Sequence, residues 1–102
     1  MEKEITIDLS GFREIESDVM GLIDKMLQKH KTKLLIYTKK PKNLHITLKP
    51  VHKREKGEIY EIHTKVLDNG KVFVSEAEDR NLLAAVDTSL ERVLKEIEKK
   101  NH

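Results

Sequence analysis

The sequence has no cysteine and no tryptophan, and its aromatic side chains are only Phe12, Tyr37, Tyr60 and Phe73. Without cysteine there is no disulfide framework, no thiol chemistry and no cysteine-based zinc site. With so few rings, two of them expected in the core, successive unstacked bases have no platform on which to lie. Gly11, Gly57 and Gly70 are isolated turn glycines with no phosphate-cradling loop around them. No apolar run approaches the roughly 18–20 residues needed to span a bilayer. MEKEITIDLS lacks the positive region and apolar stretch of a signal peptide. A soluble, cytoplasmic protein without a membrane partner is therefore expected.

What is abundant is charge, at 37% of 102 residues. That length suits one domain, 1–102, with a small core. The net charge of +2 conceals a strong asymmetry. Lys25 to Lys56 contains eleven Lys or Arg and one acid, Glu55, against nine basic and seventeen acidic residues elsewhere. A basic block set in an acidic remainder points to a polyanionic partner.

Periodicity supplies the elements. Ile5, Ile7 and Leu9 alternate with polar residues as a short strand, which Ser10-Gly11 ends. From Ile15, a helical period places Ile15, Val19, Leu22, Ile23, Met26, Leu27 and His30 on one face, with Lys25 and Lys29 together on its flank. Gly21 weakens that helix by roughly 1 kcal/mol relative to Ala, so burial must carry it. Leu34 continues the face, and Pro41 disfavours helix at Lys40. The reading for 32–42 is a helix that overruns by about a turn, then a basic loop.

Leu44, Ile46 and Leu48 form a half-buried strand whose end Pro50 weakens, and Lys53 to Gly57 reads as an exposed basic turn. Tyr60, Ile62, Thr64 and Val66 alternate as a further strand. Asn69-Gly70 then signals a two-residue type I′ hairpin. In the last strand, Val72/Val74 compete with Phe73/Ser75/Ala77 for the buried face. Asp79 or Asn81 can cap the closing helix.

In that helix Leu82, Leu83, Val86, Leu90, Val93, Leu94 and Ile97 share a face. Asp87, Glu91 and Glu98 lie on one flank, and Arg92, Lys95 and Lys99 on the other. A helix that needs only solubility usually interleaves its charges as i,i+4 pairs. Separated signs give this one a cationic edge.

The order β-α-β-β-β-α predicts an α+β fold, a four-stranded mixed sheet with two helices packed on one face. The other sheet face is then wet and carries His45, Thr47, Lys49, His63 and Lys65. His45 and His63 are neighbours there, but two histidines without a third ligand make a poor zinc site. No set of carboxylates, serines or histidines is spaced as a catalytic constellation. No enzyme activity, cofactor, metal or small-molecule substrate is expected.

The basic side chains remain. Phosphate contacts require only cations correctly spaced on a rigid support, each gaining from counterion release. The candidates are Lys25, Lys29, Arg92, Lys95 and Lys99 on helices, with Lys53 and Arg54 in a loop. The plainer alternative is a lysine-rich solvated face.

The run VFVSEAEDRNLLAAVDTSLERVLKEIEK, Val72 to Lys99, resembles the end of the ribosome hibernation-promoting factor and ribosome-associated inhibitor family. Asn81, Leu82, Ala85, Val86 and Asp87 match the family's helix opening. Arg92, Val93 and Ile97 match its later part, and Lys95 and Lys99 stand at family basic positions. Leu83 replaces the usual tyrosine, Ser89 departs from the leucine pattern, and the segment between Lys29 and Leu44 is about a turn longer than usual.

The resemblance implies a single ribosome-binding domain of the short form, lacking the second dimerising domain and expected to be a monomer. It implies a partner in the rRNA of the small ribosomal subunit, within the channel used by mRNA and tRNA. Binding there, by basic residues of both helices, would silence idle ribosomes. Two other readings stay open: a general double-stranded RNA-binding module, and a protein–protein domain using its open sheet face.

Overall fold

The computed structural model describes residues 3–55 and 57–101, with the side chains of His52 and Arg54 outside the description. The elements are β1 (Thr6–Ser10), α1 (Ser17–Tyr37), β2 (Pro41–Leu48), β3 (His52–Arg54), β4 (Gly57–Asp68), β5 (Lys71–Asp79) and α2 (Leu82–Asn101). β1 pairs parallel with β2, β2 antiparallel with β4, and β4 antiparallel with β5. These four longer strands form the expected mixed sheet.

Sheet alternation decides what is buried. Leu44, Ile46 and Leu48, then Ile62, Thr64, Val66 and Asp68, and finally Phe73 and Ala77 all turn to one face. The competition in the last strand thus goes to Phe73/Ser75/Ala77, leaving Val72 and Val74 more than half exposed on the other side. Ile23, Leu27, His30 and Leu34 of α1 meet Leu82, Ala85, Val86, Leu90, Val93 and Ile97 of α2 over that face. The apolar residues of both helices and the sheet form one core cluster. Each such side chain contributes roughly 1.5–3 kcal/mol by leaving water.

Ser89, the departure from the leucine pattern, sits fully buried where α2 crosses the sheet. Its Oγ donates to Thr64 Oγ1 at 2.7 Å, while Ser75 Oγ donates to the Ser89 carbonyl at 2.6 Å. A small hydroxyl lets α2 approach the strands, and the three residues satisfy one another's polar atoms, as burial demands.

Helix α1 begins two residues later than Ile15, which stays in the preceding turn, its N–H donating a hydrogen bond to the Phe12 carbonyl. It runs to Tyr37, about a turn past Leu34, which is the overrun expected. The basic loop after it is shorter than expected, because β2 already starts at Pro41. The buried Asp68 carboxylate explains this. It accepts the amides of Lys39 and Lys40 at 2.7–3.1 Å and the side-chain amide of Asn101 at 3.0 Å. Asn69 N–H also donates to the Lys40 carbonyl. Proline fits the first position of a strand, where no ladder donor is required.

Beyond Pro50 the expected turn is a short hairpin extension. Leu48 faces Ile62 and His52 faces Ile59, so four steps on one side oppose three on the other. The extra residue, at the Pro50 break, makes a bulge that turns β3 against the start of β4. Asn69 and Gly70 have φ of 52° and 76°, the type I′ turn that the sequence announces. Of the two proposed caps of α2, Asn81 fills the role, its Oδ1 accepting Ala84 N–H, while Asp79 Oδ1 accepts Asn81 N–H in the turn just before the helix.

Three substitutions test this account through urea unfolding midpoints. Gly21→Ala adds about 0.5–1 kcal/mol, since nothing lies near its new Cβ and the helix interior favours Ala. Gly11→Ala destabilises, because φ is +84° and the Cβ would stand 2.1 Å from the Leu48 carbonyl oxygen. Asp68→Ala costs about 3 kcal/mol by orphaning buried donors of the α1–β2 junction.

Candidate nucleic-acid interface

The helix layer carries most of the candidate cations, and one hydrogen bond orients it. His30 Nε2 donates to Asp87 Oδ1 at 2.8 Å, turning the Asp87 flank of α2 towards α1. His30 is thus a packed seam residue with 2% exposure. Glu91 and Glu98 stand one and three turns further along the same flank.

Arg92, Lys95 and Lys99 accordingly fall on the side away from α1, all exposed. With Val74, Ser75, Glu76 and Glu96 they line a groove of about 330 Å³ between α2 and β5. Arg92 Nη1 donates to the Glu76 carbonyl at 2.7 Å, which fixes the guanidinium at the border of the sheet. Lys99 Nζ lies 4.0 Å from Glu96 Oε1, a solvent-screened pair of little energetic weight. Lys95 projects into solvent between them.

Lys25 and Lys29 are exposed on the outer side of α1, in one stripe with Lys33 and with the exposed apolar Leu22 and Ile36. The acidic flank of α2 lies between this stripe and the groove. The structure therefore brings Arg92, Lys95 and Lys99 together and leaves Lys25 and Lys29 as a separate patch. Lys53 is exposed on β3, at the start of β4. α2 ends beside Lys71 and Val72, at the opposite end of that twelve-residue strand. Lys53 stands opposite Glu58 and Lys71 opposite Asp68, so at roughly 3.3 Å per residue the separation is about 33 Å. The Arg54 side chain lies outside the described residues.

Lys33 was not singled out by sequence reasoning, although its i+4 spacing from Lys29 signals it. The wet sheet face holds the expected residues in unexpected partnerships. His45 Nε2 is hydrogen-bonded to Ser10 Oγ at 2.8 Å rather than to His63. His63 lies between Glu61 and Glu76. Tyr60 donates to Glu58 Oε2 at 3.1 Å; that bond, with some burial and the carboxylate's charge, raises the phenol pKa above its usual value.

A four-stranded mixed sheet with two helices on one face and the other face open defines a fold class already seen in solved structures. A ribosomal subunit interface protein from Coxiella burnetii has it, with a TM-score of 0.62 at 16% identity over 94% of each chain. So does the N-terminal domain of Protein Y from Thermus thermophilus, with a TM-score of 0.56 at 18% identity over 95% of this chain and 98% of that one. Both likenesses run over nearly the whole chain and are likenesses of fold. No protein-family model and no curated protein matches the sequence. Among the described residues no helix is long and apolar enough to cross a membrane.

If Lys95 and Lys99 serve a ligand and not the fold, their replacement leaves stability alone. Lys95→Ala/Lys99→Ala is expected to unfold in urea within about 0.5 kcal/mol of the unaltered protein.

Proposed function

We propose that this protein is a ribosome-associated factor that binds rRNA of the small subunit in the mRNA/tRNA channel and so blocks translation in idle ribosomes. The observation that carries this is the fold, shared along almost its full length with a protein described as a ribosomal subunit interface protein. The arrangement of charge supports it. A row of exposed cations on a rigid helix beside a strand border suits phosphate oxygens at fixed spacing, and the scarcity of exposed rings disfavours base readout. Lys25, Lys29 and Lys53 supply separate contacts at other points of a molecule 47 Å long. Because the acidic flank of α2 repels phosphate, contact runs along the groove and the α1 stripe and skips the seam between the helices.

The test is co-sedimentation with purified small subunits across a salt series. Lys95→Glu/Lys99→Glu is expected to weaken binding and to lower the slope of log affinity against log salt by about one for each phosphate no longer neutralised. Lys25→Glu/Lys29→Glu should act in the same direction. Unchanged co-sedimentation of both variants would sink the site assignment. Equal affinity for plain RNA duplex would identify a general double-stranded RNA binder instead.

A further inference from the structure

The hairpin of β4 and β5 builds a second cluster on the open sheet face, away from the helix layer. Glu61 and His63 are two apart on β4, so both point to that face, and Glu76 stands directly opposite His63 on β5. The His63 ring contacts the Glu61 carboxylate, and its Nε2 lies 3.5 Å from Glu76 Oε2. One donor atom from each of the three residues falls within 4.8 Å of the others. Glu78 faces Glu61 across the same pair of strands, a further carboxylate at the rim. On the β2 side the neighbour of His63 is Thr47, which is uncharged.

We infer that Glu61, His63 and Glu76 form a binding site for a divalent transition-metal cation of the zinc type. One imidazole and two carboxylates are nitrogen and oxygen donors that suit Zn²⁺ or Co²⁺, and their two negative charges balance the cation's. Bonds of 2.0–2.2 Å in a tetrahedron need donors about 3.4 Å apart, so the cluster must adjust: His63 and Glu76 already stand near that spacing, while the two carboxylates must draw together and the His63–Glu61 contact must open. It is able to: the Glu76 side chain is 71% exposed and free to swing, while His63 and Glu61, at 37% and 24%, are held more firmly on the sheet. Three protein donors leave the remaining position for water or an external ligand. The site sits on the middle of a hairpin whose turn fixes its register, which is the rigid support that coordination needs. The bound ion would clamp β4 to β5. Such a site would hold its ion whether or not the protein meets a ribosome.

The experiment uses the full chain without an affinity tag, titrated with ZnCl₂ by calorimetry and with CoCl₂ by visible absorption. One Zn²⁺ per chain is expected, with Co²⁺ giving d–d bands of a low-symmetry, four- or five-coordinate site. His63→Ala and Glu76→Gln should each weaken Zn²⁺ binding by at least about tenfold. His45→Ala, which alters the other histidine of this face, should leave it unchanged. All three positions are at the surface, and far-ultraviolet circular dichroism confirms that each variant is folded. A wild-type dissociation constant of about 1 mM or weaker, or an unaltered affinity in folded His63→Ala, would overturn the assignment.

Discussion

The Asp68 carboxylate is where three distant segments meet, and the spacing of the layers depends on it. It lies at the end of β4, 1% exposed, among core side chains. An ionised group there is tolerable only if its lone pairs are filled. The fillers are the amides of Lys39 and Lys40, just past α1, and the side chain of Asn101, at the end of α2. Asn101 also donates to the Tyr37 carbonyl, satisfying one of the orphan acceptors at the end of α1. One residue thus stops the first helix, starts β2 in register and holds the last turn of α2 beside it. The cations of α2 are rigidly placed because their helix is tied at this end, capped by Asn81 at the other and seated on Ser89 in the middle.

That rigidity gives the charge pattern its meaning. Flexible lysines can follow any polyanion, whereas a tied helix offers a fixed repeat. The His30–Asp87 bond does for electrostatics what Asp68 does for geometry, since it turns an acidic flank inward along the seam and the cationic flank outward. The result is a helix layer striped by sign. The potential over such a surface changes sign from one stripe to the next instead of averaging out.

Much of the fold was legible in the sequence. Alternation at Leu44–Leu48 and Tyr60–Val66, the Asn69-Gly70 turn and the 3.6-residue period of both helices are local signals, and each element stands where its signal lies. What was not legible depended on contacts far apart along the chain. The buried face of β5 could not be chosen from Val72, Phe73 and Val74 alone, because α2 decides it. The early start of β2 at Pro41 needs Asp68, 27 residues away. For the candidate site, the segregation of Arg92, Lys95 and Lys99 was visible from their numbers. That Arg92 would also bond a strand carbonyl was not. The Glu61–His63–Glu76 grouping was available in principle: a turn at Asn69-Gly70 sets His63 opposite Glu76 by counting back. Matching histidine with histidine hides it.

The bond from Arg92 to the Glu76 carbonyl has a consequence for how the molecule behaves among copies of itself. β5 is a nine-residue border strand with Val72 and Val74 outward, the kind of segment that recruits a strand from another chain and seeds aggregation. A guanidinium laid across its middle spoils the ladder that an incoming strand would need, and Glu76, Glu78 and Asp79 surround that point with negative charge. Lys71 guards the other end. At the opposite border β1 offers only five residues. Both borders of the sheet are thus poor templates for a strand from another molecule.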